Sequence, residues 1–225
     1  MSRRSITLDR AIGLLRAHYG QPEALPTSDP FELVLLENVA YLASPGRRRT
    51  AFEALKRTVG TSPTAILQAD AHALERITGH GILKAKFASK LKECARLVLE
   101  RFDGDLRAAI RGPHPAAKRA LRCFPGIGEP GAEKILLFSG QHALLAPESN
   151  GLRVLVRLGL VREESSYSRT YAASRRAAEA LSREPHALQE AHLLLREHGQ
   201  TLCRRSAPRC DACPLEAGCA YARNG

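Results

Sequence analysis

The stretch LCRRSAPRCDACPLEAGCA, residues 202–220, places four of the chain's six cysteines within seventeen residues, with the spacing Cys203-x6-Cys210-x2-Cys213-x5-Cys219. The N-terminal segment MSRRSITLDRAIGLL has no continuous apolar run, so we expect no secretion signal and a cytosolic chain whose thiols stay reduced. Zinc sites usually offer two close ligand pairs, whereas one loop with a single C-x2-C pair is more typical of an iron–sulfur cluster. The spacing therefore favours a [4Fe–4S] cluster held by these four cysteines over zinc, and disulfides are the least favoured reading.

The charge balance favours a polyanionic partner. The chain has 34 Lys and Arg against 23 Asp and Glu, a formal net charge of +11 over 225 residues. Such a field attracts nucleic acid, because each neutralised phosphate releases a counterion. An Arg-rich composition inherited from a GC-rich genome would produce the same numbers, so charge alone only favours DNA or RNA. No apolar run approaches the length that crosses a membrane, and we expect no membrane partner.

Hydrophobic spacing predicts an all-α protein with short connections. One apolar stripe is formed near the N-terminus by Leu8, Ala11, Ile12 and Leu15. Asp29 is expected as an N-cap, Pro30 as the first helical residue and Glu32 as the acid of a capping box, opening a buried helix over 31–42. Other helices are predicted over 48–58, 83–102, 130–140, 148–158, 169–182 and 186–198, with a short one after Asp70 and one ending near Cys123. Cys94 and Cys123 lie in apolar helical surroundings and are expected in the core.

The segment FPGIGEPGAEKILLF, residues 124–138, predicts a tight turn between two helices. Gly126 and Gly128 are expected to adopt positive φ and to remove side chains from a contact surface. Backbone N–H groups at the start of the next helix would then form a phosphate site, with Pro130 tolerated in the first turn. A plain helical corner that binds nothing has the same sequence requirements.

Together these segments resemble the endonuclease III family of DNA glycosylases. The cysteine spacing, the preceding EAHLLLREHGQTLC (190–203) and the Pro-Gly-Ile-Gly turn all match that family's pattern. The resemblance implies a [4Fe–4S] cluster that braces a basic loop rather than performing catalysis. It also implies two helical domains flanking a DNA-binding cleft, a six-helix barrel with a helix-hairpin-helix over 30–142 and a discontinuous iron–sulfur domain over 1–29 and 143–225.

The resemblance further implies where DNA binds. Phosphate contacts are expected from the hairpin, from the helix after it, from the segment that follows residue 148 and from the cysteine loop, that is from Gly126, Ile127, Gly128, Lys134, Asn150, Arg153, Arg204, Arg205 and Arg209. Base recognition and the wedge that fills the hole left by a flipped nucleotide are assigned to Asn38, Tyr41, Leu42, Ile82 and Leu83.

The catalytic positions of the family are altered in this chain. Bifunctional members place a nucleophilic lysine where this chain has Pro130, which has no amine to attack the sugar. Lys134 lies one helical turn later and could act only from a displaced position. The family aspartate corresponds to Glu148, which keeps the charge that stabilises an oxocarbenium-like sugar but adds a methylene group. Glu148 could equally be a helix-start acid favoured by the dipole.

Glu37 is the second candidate catalytic residue, because it interrupts an otherwise apolar helix. In the adenine-excising branch a glutamate at the equivalent place protonates the departing base, and burial favours the protonated acid that such a role needs. An ion pair or an exposed helix edge would also explain it.

The sequence therefore predicts a monofunctional DNA glycosylase of base excision repair, acting on double-stranded DNA with a damaged or mispaired base. We expect a monomer located in the cytoplasm with the nucleoid. Deaminated or mispaired pyrimidines, oxidised bases and adenine opposite damaged guanine remain open as substrates. The alternatives are a DNA-binding scaffold without catalysis and a redox-sensing iron–sulfur protein.

Overall fold

The computed structural model describes residues 6–178, 181 and 184–224, and the prediction of an all-α protein is confirmed, since these residues contain no β-strand. The α-helices are α1 Leu8–Tyr19, α2 Pro30–Asn38, α3 Pro45–Thr58, α4 Pro63–Gln68, α5 Ala71–Thr78, α6 Lys84–Phe102, α7 Leu106–Ala109, α8 His114–Leu121, α9 Glu129–Phe138, α10 Ser149–Leu158, α11 Tyr167–Ala178, α12 Pro185–Thr201 and α13 Ala220–Asn224. Two short 3-10 helices span Cys210–Ala212 and Glu216–Gly218. Among the described residues, no helix has the length and apolar character needed to span a bilayer.

The chain divides into two compact units. One unit is the continuous segment 25–141, which contains α2 to α9. The other joins residues 1–24 to 142–225 and contains α1 with α10 to α13. The interpretation of these units as a barrel and an iron–sulfur domain stays a prediction.

Helix α1 packs against helix α12, near the C-terminus of the chain, and its apolar stripe is buried. The four residues of the predicted stripe, Leu8, Ala11, Ile12 and Leu15, are all buried, and α1 packs against α12. The guanidinium of Arg16 donates two hydrogen bonds to the carboxylate of Glu190 on α12. The same unit therefore depends on residues from both ends of the chain.

Helix α2 begins as predicted and ends earlier. The carboxylate of Asp29 accepts hydrogen bonds from the backbone N–H groups of Phe31 and Glu32 at 3.0 Å, and Pro30 is the first helical residue. The predicted capping box is wrong, because Glu32 instead accepts hydrogen bonds from Thr27, Thr61 and Lys56. The helix stops at Asn38 rather than reaching 42, which places the last residues of the predicted helix in a loop.

Most other helix predictions are confirmed to within a few residues. Asp70 caps α5 through Ala73 N–H, and α6 buries Phe87, Leu91, Ala95 and Val98 while Phe102 is half-buried. The predicted helix 169–182 begins at Tyr167 and is helical to Ala178, while 179, 180, 182 and 183 lie outside the described residues. Cys94 is buried as predicted, but the prediction for Cys123 is wrong, because it follows the end of α8 and is exposed.

Candidate functional site

Of the two glycines in the turn between α8 and α9, Gly126 occupies a position that a residue with a side chain could not take without strain. Gly126 has φ +78°, and a Cβ atom there would lie 2.6 Å from Oδ1 of Asn38. The prediction of positive φ for Gly128 is wrong: its φ is −83°, it caps α9 in an extended conformation, and it makes no side-chain cap. Because Gly128 is exposed and has no side chain, the first N–H groups of α9 remain accessible, as a phosphate site requires.

Two residues assigned to DNA are instead buried beneath this turn. The side chain of Ile127 is 6% exposed, so only its backbone is available to a ligand. Asn38 is 1% exposed, and its amide donates a hydrogen bond to the carbonyl of Val34 at 3.1 Å. Asn38 therefore lies beneath the turn, and its predicted reading of a base edge, for which this structure leaves the side chain no exposed surface, stays a prediction.

The N-terminus of α9 also carries a negative charge. Glu129 lies in the first turn, and its carboxylate accepts a hydrogen bond from Lys118 Nζ at 2.6 Å. Lys118 also contacts the buried Glu133 at 3.3 Å, which ties α8 to α9. Lys118 therefore offsets the repulsion that Glu129 would exert on a phosphate.

Glu37 lies in a cluster of charges that joins α2, α3 and α9. Its Oε1 atom is 2.6 Å from Nζ of Lys134 and 3.9 Å from a terminal nitrogen of Arg48. The exposed fractions of the three side chains are 19% for Glu37, 10% for Lys134 and 27% for Arg48. The structure thus gives Glu37 the ion pair that the sequence left open.

Lys134 does not form part of an exposed phosphate-binding surface. The residue is 8% exposed and its ammonium is hydrogen-bonded to Glu37, so its predicted contact with DNA is not visible in this structure and stays a prediction. The same pairing opposes a role as nucleophile, because Nζ is already engaged by a carboxylate.

Glu148 is the N-cap of α10, and both of its oxygens are held by one neighbour. The backbone N–H and the side-chain amide of Asn150 each donate a hydrogen bond to it at 3.1 Å. The carboxylate is half-buried and lies at the start of α10, the end of a helix where acidic caps are favoured. This geometry is compatible with two roles: a structural cap of α10, and a carboxylate held in a fixed orientation for a ligand.

A line of hydrogen bonds continues from Glu148 to the cysteine loop. The side-chain oxygen of Asn150 accepts from Arg153 at 2.8 Å, and Arg153 also donates to the carbonyls of Gly199 at 2.7 Å and Cys203 at 3.0 Å. Burial lowers the pKa of Arg153 from its usual value. Both side chains are engaged within their own unit, and the predicted DNA contacts of Asn150 and Arg153 stay predictions.

The four cysteines of the loop line one pocket. The pocket encloses about 370 Å³ that atoms do not fill, part of it open solvent, and Cys203, Cys210, Cys213 and Cys219 all contribute to its wall. Among the described residues, no three His, Cys, Asp or Glu side chains are grouped so as to hold a single metal ion. Four soft sulfur donors on the wall of one pocket are the ligand type that an iron–sulfur cluster takes, and the cluster itself stays a prediction.

The surroundings of the thiols also bear on this fit. Burial, with a contribution from the neighbouring thiols, raises the pKa of Cys213 to about 11. Burial lowers the pKa of His198 to about 4, and its Nε2 lies 3.5 Å from Sγ of Cys213. A bound cationic centre would favour the thiolate form of Cys213, as ligation by a cluster would provide.

Arg157 holds the loop at a place that the sequence analysis missed. One terminal nitrogen lies 3.4 Å from Sγ of Cys203 and donates to the carbonyl of Arg204 at 2.7 Å, while the other donates to the carbonyl of Arg205. The spacing of four residues from Arg153 on α10 was the available signal, because it places both guanidinium groups on one helix face. The side chains of Arg204, Arg205 and Arg209 are exposed, as phosphate contacts require.

Two loops of the segment 25–141 present the residues predicted as wedges. The N–H of Ile82 donates to the carbonyl of Tyr41 at 3.1 Å, which holds the loops side by side. Leu42 and Leu83 are 71% and 54% exposed, and both adopt positive φ, which is costly for leucine. The ring of Tyr41 stacks on Phe87 with centroids 4.6 Å apart. This arrangement exposes apolar side chains on a fixed backbone, and their role as wedges stays a prediction.

Comparison with known proteins supports the sequence resemblance, although no protein-family model matches the chain. A protein of Methanocaldococcus jannaschii that is named as a DNA repair glycosylase is 25% identical over 210 residues, which cover 92% of each chain. A thymine/uracil-DNA glycosylase of Pyrobaculum aerophilum is 23% identical over 155 residues, 68% of this chain and 64% of that protein. A solved non-covalent complex of endonuclease III with DNA matches 97% of this chain and 98% of its own, at 16% identity and a TM-score of 0.76.

Proposed function

We propose, from the premise that this chain is a relative of the helix-hairpin-helix DNA glycosylases and has the endonuclease III fold, that it hydrolyses the bond between a base and its sugar in double-stranded DNA. The base is a damaged or mispaired one, flipped out of the duplex before cleavage. The proposal depends mainly on one observation: the half-buried carboxylate of Glu148 has a fixed orientation, because Asn150 donates a hydrogen bond to each of its two oxygens.

Glu148 acts on the sugar. As the base departs, the sugar develops positive charge, and a fixed anion close to it lowers the energy of that state. The carboxylate then accepts a proton from the water that adds to the sugar carbon. Its fixed orientation supports both roles, since no reorganisation is needed when the charge develops.

Water, rather than an enzyme amine, is the nucleophile. Pro130 stands where bifunctional members have a lysine, and Lys134 is buried and paired with Glu37. Without a covalent imine between enzyme and sugar, elimination and strand cleavage are not expected. The enzyme is therefore proposed to be monofunctional.

DNA is held by the turn before α9 and by the cysteine loop. The exposed Gly128 opens the start of α9 to a phosphate, and the exposed Arg204, Arg205 and Arg209 add positive charge. Cys203, Cys210, Cys213 and Cys219 would hold the [4Fe–4S] cluster, which when bound supplies rigidity to this loop rather than a reacting group. The chain is proposed to act as a monomer in the cytoplasm, on nucleoid DNA.

A panel of duplexes tests this function. Each duplex contains one altered or mispaired base, and release of the base is measured with enzyme in excess over DNA. Release from at least one duplex, leaving an intact strand with an abasic site, is the expected result. Tight binding without release from any duplex would indicate a DNA-binding scaffold instead.

A further inference from the structure

The residue His198, near the end of α12, contacts two of the four cysteines of the loop. Its ring is buried, with 1% of the residue exposed, and it forms part of the wall of the cysteine-lined pocket. The Nε2 atom lies 3.5 Å from Sγ of Cys213, and the carbonyl oxygen accepts the backbone N–H of Cys203 at 2.8 Å. One residue thus joins the first and the third cysteine of the loop.

A chain of hydroxyl groups continues from the other nitrogen of this ring. Nδ1 lies 3.0 Å from the hydroxyl oxygen of Tyr19, which belongs to α1. That oxygen lies 2.9 Å from Oγ1 of Thr201, which is also 2.8 Å from the carbonyl oxygen of Glu197. Tyr19 is half-buried and Thr201 is exposed, so the chain leads from a buried sulfur to the surface and includes the N-terminal helix.

The number of protons in this chain restricts its direction. Each hydroxyl has one proton to donate, and an imidazole with one N–H donates from one nitrogen only. The hydrogen bond made by the other ring nitrogen decides which nitrogen that is. The hydroxyl of Tyr19 therefore controls which hydrogen bond His198 offers to Cys213.

A cysteine that ligates a metal centre is a thiolate, and its sulfur has no proton to donate. A hydrogen bond between Sγ of Cys213 and His198 then takes its proton from Nε2, which leaves Nδ1 as an acceptor. Tyr19 can donate to Nδ1 because its own oxygen can accept from Thr201, whose hydroxyl reaches both Tyr19 and the Glu197 carbonyl. Every donor and acceptor needed for this direction is in place without movement of a heavy atom.

We propose that His198 is a positioning residue for the cluster: held in one tautomer by the hydroxyl of Tyr19, it donates a hydrogen bond to the ligand sulfur of Cys213. Helix α1 thereby takes part in holding a group at the other end of the chain. Partners that orient ligand residues in this way typically change the affinity for a metal by about 10- to 100-fold. This inference rests on the [4Fe–4S] cluster proposed above and is independent of the reaction at the sugar.

Tyr19→Phe tests the chain of hydroxyls, because it keeps the ring and removes the proton that fixes the tautomer. Loss of the cluster is followed through its visible absorbance after an iron chelator is added to the anaerobic holoprotein. Loss should be about 10-fold faster in Tyr19→Phe than in the wild type. Tyr221→Phe is the matched control, since it removes the hydroxyl of an exposed tyrosine that lines the same pocket, and it should leave the rate unchanged.

The reduction potential of the cluster separates this role from a purely structural one. A hydrogen bond to a ligand sulfur stabilises negative charge there, so its loss lowers the potential. Glutamine at 198 can place an amide N–H close to the position of Nε2, whereas the shorter asparagine reaches only the position of Nδ1. By protein-film voltammetry, His198→Gln should stay close to the wild-type potential, and both His198→Asn and Tyr19→Phe should lie below it.

The outcomes distinguish this inference from the two proposals made above. Unchanged cluster loss and potential in Tyr19→Phe, or equal potentials in His198→Gln and His198→Asn, would overturn it and leave the cluster standing. Tyr19→Phe, at a half-buried side chain, provides the test if neither His198 variant folds. Purified protein that contains no iron would overturn both the inference and the cluster, whereas the glycosylase function is decided separately by base release from the panel of duplexes.

Discussion

Glu37 and Glu148 are both half-buried glutamates at the end of a helix, yet the structure holds their charges in opposite ways. Glu37 lies in the last turn of α2, where the helix dipole is unfavourable to an anion, and it is held by Lys134 and Arg48. Glu148 caps the start of α10, where the dipole is favourable, and it is held by the neutral amides of Asn150. The first arrangement presents cations to a ligand and the second presents an anion.

The difference shows that residue type alone does not assign a role. Glu37 is paired with cations of two other helices, whereas Glu148 accepts its hydrogen bonds from one neutral neighbour. What each carboxylate can do therefore depends on its contacts as well as on its type.

The largest effect is expected from Glu148→Gln, which removes the anion and keeps the shape. Base release should fall by about 10²- to 10³-fold, because a fixed charge no longer opposes the charge on the sugar. Affinity for a duplex with an abasic site, measured by fluorescence anisotropy, should stay nearly unchanged. Glu163→Gln, at an exposed residue of the same unit, is the control. Joint loss of release and affinity would make Glu148 a structural cap only.

Gly126→Ala tests how strongly the packing around Glu37 and Asn38 depends on the turn before α9. The new Cβ would lie 2.6 Å from Asn38, the residue next to Glu37, at a backbone φ of +78°. We expect a loss of about 2–3 kcal/mol in the free energy of unfolding, measured in urea. Gly140→Ala, with φ +73° and no atom within 4 Å, should cost about 1 kcal/mol. Equal losses would show that the close approach to Asn38 is unimportant.

Arg153→Gln tests whether the orientation of Glu148 depends on the hydrogen bonds that Arg153 makes to its neighbour Asn150. The variant loses the hydrogen bonds that join Asn150 to Gly199 and Cys203. Base release should fall by about 10-fold as Glu148 loses its orientation, and the thermal midpoint should also fall. Arg162→Gln, at an exposed residue of the same unit, serves as the reference. A lower midpoint with unchanged release would show that the hydrogen-bond line has no part in catalysis.

The smallest effect is expected in a trapping experiment with borohydride. No covalent adduct between protein and DNA should accumulate during base release, because Pro130 has no amine and Lys134 is paired with Glu37. Efficient trapping that disappears in Lys134→Ala would contradict the hydrolytic mechanism and show that Lys134 leaves its pair with Glu37 during the reaction. Denaturing gel electrophoresis distinguishes a covalent protein–DNA adduct from free DNA and so shows which result is obtained.

Local signals allowed much of this structure to be predicted. Asp29 and Pro30 mark the start of α2 because capping depends on neighbouring residues, and the stripe from Leu8 to Leu15 is visible from its spacing. The cysteine spacing and the turn at Gly126 indicated the fold from a few residues. In each case the determining interactions lie within a short segment.

The features that the sequence did not reveal are contacts between residues that lie far apart in the chain. Asn38 is buried because residue 126 packs on it, and Arg153 is engaged because its partners are at 199 and 203. Nothing in the local pattern of either residue reports those neighbours. The same holds for Glu37, whose partners Lys134 and Arg48 come from two other helices, so its ion pairs could not be derived from the composition of α2.

The packing of α1 against α12 has a consequence for how the molecule is made. A ribosome completes the whole of 25–141 before it supplies α12, so residues 8–19 must wait without their partner while that continuous segment folds. The cysteine loop follows α12 in the chain, so its four thiols come together only after the whole of 25–141 has been synthesised.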